Sequence, residues 1–171
     1  MLEQKTEMRR ITIGPEANEK LGGAGIVRYV AHCNANGEEV LAKVKSLLIC
    51  VDEASLNGWL PDEVWLKKLP LWFTQACAVS LTKDQADARL AQWRRLTPEQ
   101  QAKAERDQQW SLDNWLWWMT PNQRMWFWWD VNVLSPSKIA VAVEATEWPF
   151  GWGALRWLFK AAGADSLEAE E

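Results

Sequence analysis

The sequence predicts a single α+β domain, and three observations lead there. Residues 125–134 and 139–147 are two aromatic and β-branched runs split by Ser135-Pro136-Ser137-Lys138, the pattern of a β-hairpin. Stretches with helical periodicity or helix-start signals surround them, at about 38–53, 61–69, 71–79, 83–96, 98–110, 112–119 and 153–162. The length, 171 residues, suits one domain able to bury a core without disulfide staples.

Taken from the N-terminus, residues 1–9 are charged and read as a loose start. Arg10-Ile-Thr-Ile-Gly14 fits a short strand. Pro15 to Gly25 ends in Gly22, Gly23 and Gly25, but it has neither GxGxxG spacing nor a Walker Lys-Ser/Thr. A flexible turn is expected there rather than a phosphate cradle. Ile26 to Cys33 has strand composition, although so short an apolar run fits a helix equally well.

The clearest helix of the first half follows Asn36-Gly37. Glu38 and Glu39 sit in its first turn, where the helix dipole favours acids. Val40, Leu41, Val44, Leu47, Leu48 and Val51 then form one apolar stripe. Pro61 opens the next helix, with Asp62 and Glu63 in its first turn and Val64, Trp65 and Leu69 inward. Pro70 must end or kink it, because its nitrogen cannot donate. Residues 71–79 make a further short helix carrying Trp72, Phe73 and Cys77.

Two capping boxes, Thr82-Lys-Asp-Gln85 and Thr97-Pro-Glu-Gln100, start consecutive helices. The second is polar on nearly all sides, which suits a solvated arm. Ser111 opens a helix ending before Pro121. After the hairpin, Leu155, Leu158, Phe159 and Ala162 mark a last helix, stopped by Gly163. Residues 164–171 are small and acidic and read as a disordered tail.

The tryptophans set the hairpin apart. Ten of the fourteen fall between Trp110 and Trp157. Strand side chains alternate between faces, and a buried face specifies the register. Pairing Val133 with Ile139 puts Phe127, Trp129, Val131 and Val133 with Val141 and Val143 on an apolar core face. The other face then carries Trp126, Trp128, Asp130 and Asn132 beside Ala140, Ala142, Glu144 and Thr146. In this register Trp128 lies opposite Glu144 and Asp130 opposite Ala142.

That second face supports two expectations. One is a second packing layer, covered by a helix, with the alanines making room for indoles. The other is a binding surface made by Trp126, Trp128, Asp130 and Glu144, since indole faces attract cations and stack on flat ligands. Paired carboxylates can also divide acid and base roles, but no third positioned group accompanies these two.

Charge and cysteine content narrow the function. The net charge is −4, and the acid surplus lies late: residues 96–171 hold 6 basic and 11 acidic side chains, against 13 and 12 before them. With no basic cluster, nucleic acid is not an expected partner. No apolar run approaches a membrane span, and Met1 to Arg10 has no signal-peptide core. Cys33, Cys50 and Cys77 are odd in number and in no CxxC pattern, so free thiols in the cytoplasm are expected. His32, the only histidine, adjoins Cys33, but neighbours on a strand point to opposite faces. A dyad of His32 with Cys50 or Cys77 has no supporting signal. No HExxH, GxSxG, kinase, EF-hand or zinc-finger pattern occurs, so no catalytic residue, metal or cofactor is assigned.

The run Trp148-Pro-Phe-Gly-Trp-Gly-Ala-Leu-Arg-Trp-Leu158 is distinctive, yet it carries no activity signature. Tryptophan is enriched at interface hot spots. The leading expectation is therefore a protein-binding module, of the inhibitor, immunity or self-associating kind, with an acidic, Trp-bearing surface suited to a basic partner. A small-molecule binder or enzyme at the Trp126/Trp128/Asp130/Glu144 pocket is the alternative. A purely structural role for the tryptophans is the third.

Overall fold

The computed structural model describes residues 2–170; Met1 and Glu171 lie outside them. In chain order the elements are α1 (Leu2–Ile13), β1 (Gly25–His32), α2 (Gly37–Ser55), α3 (Asp62–Lys68), α4 (Leu71–Ala76), α5 (Lys83–Trp93), α6 (Pro98–Asp107), α7 (Leu112–Met119), β2 (Trp126–Ser135), β3 (Lys138–Ala145), α8 (Gly153–Ala162) and β4 (Ser166–Ala169). The strands form one antiparallel sheet in the order β2-β3-β1-β4. The α+β expectation is met, with the hairpin forming one side of the sheet, β2 at its edge, and β1 a central strand rather than a helix.

One face of the sheet is the core. It presents Tyr29, Ala31, Ile139, Val141, Val143, Trp126, Trp128 and Leu167, all buried. The apolar stripe of α2 and that of α8, with Leu155, Leu158 and Phe159, pack with these in one cluster. Four tryptophans, Trp65, Trp115, Trp126 and Trp128, are almost completely buried. Each hides ~150–250 Å². At ~25 cal/mol per Å² that is a few kcal/mol apiece as an upper bound.

Local signals placed the helix ends. Both capping boxes form: Thr82 Oγ1 accepts from the Gln85 N–H, and Thr97 Oγ1 from the Gln100 N–H, with each glutamine reaching back. Leu69, before Pro70, is extended and stops α3. Gly163 takes the left-handed conformation that ends α8. Helices α5 and α6 bury no residue and form the solvated arm. The arm's two ends are clamped together by the Ala78 N–H on the Trp110 carbonyl at 2.9 Å.

Both termini depart from expectation. Instead of a loose 1–9 and a strand at 10–14, residues 2–13 form α1. Among its described side chains the buried ones are Gln4, Glu7, Arg10 and Ile11, a helical stripe that is mostly polar. Hydrophobic periodicity is blind to such a stripe, because its partners are charges on other elements. The tail at 164–171 is likewise ordered within 164–170. Leu167 is buried, and β4 pairs with β1 through Ala31↔Leu167 and its neighbours. One apolar residue among acids was enough to dock an edge strand.

Candidate functional site

The sheet register decides the fate of the four candidate residues. Near the turn, β2 and β3 pair as expected: Val133↔Ile139 and Asp130↔Ala142. A β-bulge at Trp129 then shifts the ladder, giving Phe127↔Glu144 and Trp128↔Val143. The extra residue turns the first half of β2 over. Trp126 and Trp128 enter the core, and Phe127 joins Glu144 on the far face. The expected surface of two indoles beside two carboxylates therefore does not assemble. Asp130 and Glu144 keep a common face, separated from both rings by the sheet. The same inversion corrects the expectation that Trp128 sits opposite Glu144.

Glu144 is held on all sides. One oxygen accepts from Arg10 Nη1 at 2.8 Å. The other accepts the consecutive N–H groups of Gly22 and Gly23, the latter at 2.8 Å. The glycine-rich loop is thus a cradle for an anion, and the anion is the chain's own carboxylate. Gly23 is required there, because a Cβ would stand 2.2 Å from the Ala145 carbonyl oxygen. Arg10 also pairs with Glu19 at 2.8 Å and lies 4.1 Å over the Trp129 ring. Burial alone would raise Glu19, but hydrogen bonds from Arg9, the Glu16 backbone and Arg10 outweigh it and hold its pKa at about 2. Asp130 is exposed and accepts the Val131 N–H at 2.8 Å. With Glu144 saturated and Asp130 in solvent, these carboxylates do not form a facing acid/base pair.

A second tether pins the bulge from the open edge of β2. Glu7 Oε1 accepts both the Trp128 N–H and Arg124 Nη2, each at 2.6 Å. Arg124 Nη1 reaches Asp52 on α2 at 3.2 Å, and its Nε donates to the Trp126 carbonyl at 3.0 Å. Glu7 and Asp52 are fully buried. Two buried acids share one guanidinium, so burial, and then the charge of Glu7, push the Asp52 pKa up. Glu7 Oε2 and Asp52 Oδ2 are each without another partner, which fits a proton held by Asp52 between the two carboxyl groups.

Beyond the Glu144 corner the far face of the sheet is open. Ile26, Arg28 and Val30 from β1 share it with Ala140 and Ala142 from β3 and with Asp130 and Asn132 from β2. Among the described residues no helix covers these positions, so the expected second packing layer is not there. Each of them is half-buried or exposed. Trp148, 71 % exposed, lies at one end of this face, in a hollow shared with Ile26, Arg28 and Glu170. Glu168 and His32 approach within 3.9 Å on the opposite flank. The sequence leaves 26–33 open between strand and helix, and it names Trp148 only within the run 148–158, with no place in the candidate surface. The signal for β1 was the alternation of Val27, Tyr29 and Ala31 against Ile26, Arg28 and Val30, which only pairing with β3 converts into faces.

His32 does not meet its neighbour: Cys33 is buried in the core cluster while His32 is partly exposed toward Glu168. Burial raises the pKa of each thiol, at Cys33, Cys50 and Cys77. Such thiols are poor nucleophiles at neutral pH. No described helix is long and apolar enough to cross a membrane. Compared with models of known families, with curated proteins and with solved structures, the chain matches none of them.

Proposed function

We propose that this chain is a protein-binding module whose contact surface is the uncovered far face of the sheet, flanked by Trp148. The observation that carries the reading is that Ile26, Val30, Ala140 and Ala142 form an apolar strip that no described helix packs against, although eight helices are available. Small side chains leave this strip flat, so a partner's side chains can approach the backbone. Acidic Asp130, Glu168 and Glu170 lie around it, against Arg28 opposite Ala142 and Lys138 at the turn end, which favours a basic partner surface. An exposed tryptophan beside a flat apolar strip is the composition of an interface hot spot. Three free thiols suit a reducing compartment such as the cytoplasm.

The test is affinity capture from the source cell with three full-length baits: the native chain, Ala142→Arg, and Leu90→Arg on the arm. The reading expects a stoichiometric partner that Ala142→Arg loses and Leu90→Arg keeps, with all three baits unfolding at similar temperatures. A partner retained by Ala142→Arg and lost by Leu90→Arg would move the interface to the arm. Sedimentation of the native chain alone distinguishes self-association from a separate partner.

A further inference from the structure

A second concavity lies where the end of α6, α7 and the start of α8 meet. Its volume is about 430 Å³, within the ~300–1,000 Å³ of ligand sites. Four indoles and a phenyl ring line it: Trp110, Trp118, Trp152, Trp157 and Phe150. Most of them come from the run 148–158 that stood out in the sequence without a role. Of the two glycines of that run, Gly153 is the one its form requires, since a Cβ at Gly151 would meet only ordinary contacts. A Cβ on Gly153 would stand 2.7 Å from the Trp110 ring, and one on Gly151 would stand 3.7 Å from Trp118. Any larger residue at 153 would push the Trp110 indole out of place.

The charge of the cleft is opposite to that of the whole chain. Arg106, Arg156 and Lys160 border it against Glu105 alone. Arg156 is the distinctive group. Its guanidinium lies 4.0 Å over the Trp152 ring, which packs on Tyr29 at 4.6 Å. The Nε of Arg156 is buried and has no hydrogen-bond partner, a condition that normally costs stability. Among the described residues no carboxylate lies within ion-pair distance of it. Burial lowers its pKa, in keeping with a poorly solvated cation.

We infer that this cleft binds a small flat anion, an aromatic or heteroaromatic molecule bearing a carboxylate or a phosphate. The rings supply faces on which an unsaturated body stacks. The guanidinium fork supplies paired donors matched to either anionic group. A cationic ligand would meet three positive side chains, and a neutral one would bury Arg156 Nε still unpaired. The site shares no lining residue with the apolar strip of the far face, and its ligand is distinct from the protein partner proposed there.

The full-length chain can be titrated with 2-naphthoate, 1-naphthyl phosphate, 2-naphthamide and inorganic phosphate. Calorimetry reads affinity, and the indole N–H resonances of Trp110, Trp118 and Trp152 report location. At least one of the two aromatic anions should saturate and shift those three resonances; which one does so identifies the anionic group. Naphthamide, which loses the charge-assisted hydrogen bonds, and inorganic phosphate, which loses the stacking, should each bind at least about tenfold more weakly. Arg156→Gln should weaken the aromatic anions by about the same factor. Because that variant also loses its stacking on Trp152, Lys160→Gln serves as the second variant, and it should weaken them severalfold at unchanged unfolding temperature. Three results would overturn the inference: no saturable binding of either anion at millimolar concentration, naphthamide binding as tightly as naphthoate, or anion binding that neither variant weakens.

Discussion

The Glu7 carboxylate accepts the backbone N–H of Trp128 at 2.6 Å, joining residues 121 positions apart in the chain. That bond ties α1 to the open edge of β2 beside the bulge at Trp129. It occupies a backbone donor that would otherwise be left on a sheet edge. The same oxygen accepts from Arg124, so removing it strands two buried donors at once.

Glu7→Ala should therefore be among the most damaging single changes. Breaking a buried ion pair by removing one partner costs about 3–5 kcal/mol. Urea unfolding should show that loss. Glu7→Gln, which keeps an acceptor for both donors, should cost distinctly less. If the two variants prove equally harmless, α1 does not hold the bulge.

The acid cluster predicts an unusual pH response. The folded-state pKa of Asp52 is raised, so above the usual aspartate range the folded chain keeps a proton that the unfolded chain has released. Stability from this group is full at low pH and falls as pH rises, by at most about 1.4 kcal/mol per unit. Asp52→Asn holds an amide where the protonated carboxyl stood. Its stability should fall less than that of the native chain between about pH 5 and about pH 8. Parallel curves would mean that Asp52 is ionised in the fold.

Glu19 works with the opposite sign. Its pKa drops from 4.5 to about 2 on folding. The stability it contributes is present above the unfolded value and is lost as pH falls through that window. Glu19→Gln should lower the neutral-pH unfolding midpoint and flatten the acid limb. Circular dichroism across the acid range checks both.

Gly23→Ala tests the anion cradle. Its Cβ would collide with the Ala145 carbonyl oxygen at 2.2 Å and move the loop off Glu144. Overpacking of this kind costs typically about 1–3 kcal/mol. A thermal midpoint unchanged by the substitution would show that the loop is free to move. On the arm, by contrast, Leu90→Glu should shift stability by no more than about 0.5 kcal/mol, because α5 buries nothing.

Leu167→Ala tests the terminal strand. Leu167 is 4 % exposed and packs in the core cluster. Its truncation should cost about 2–5 kcal/mol. Stability measured by denaturant would reveal a tail that contributes nothing if the value stays near zero.

The sequence by itself determined the α+β class, the seven helices after residue 37, both capping boxes and the Val133↔Ile139 pairing at the hairpin turn. These follow from local rules: apolar spacing, caps and turn residues act over a few positions and are visible without partners. Tertiary structure alone decided which way Trp126 and Trp128 face. One inserted residue at Trp129 reverses a strand's two sides, and alternation in the sequence has no mark for it. The polar stripe of α1, the cradle around Glu144 and the docking of β4 were hidden for the same reason. Each is stabilised by groups far away in the chain, so its residues look solvent-facing until their partners arrive.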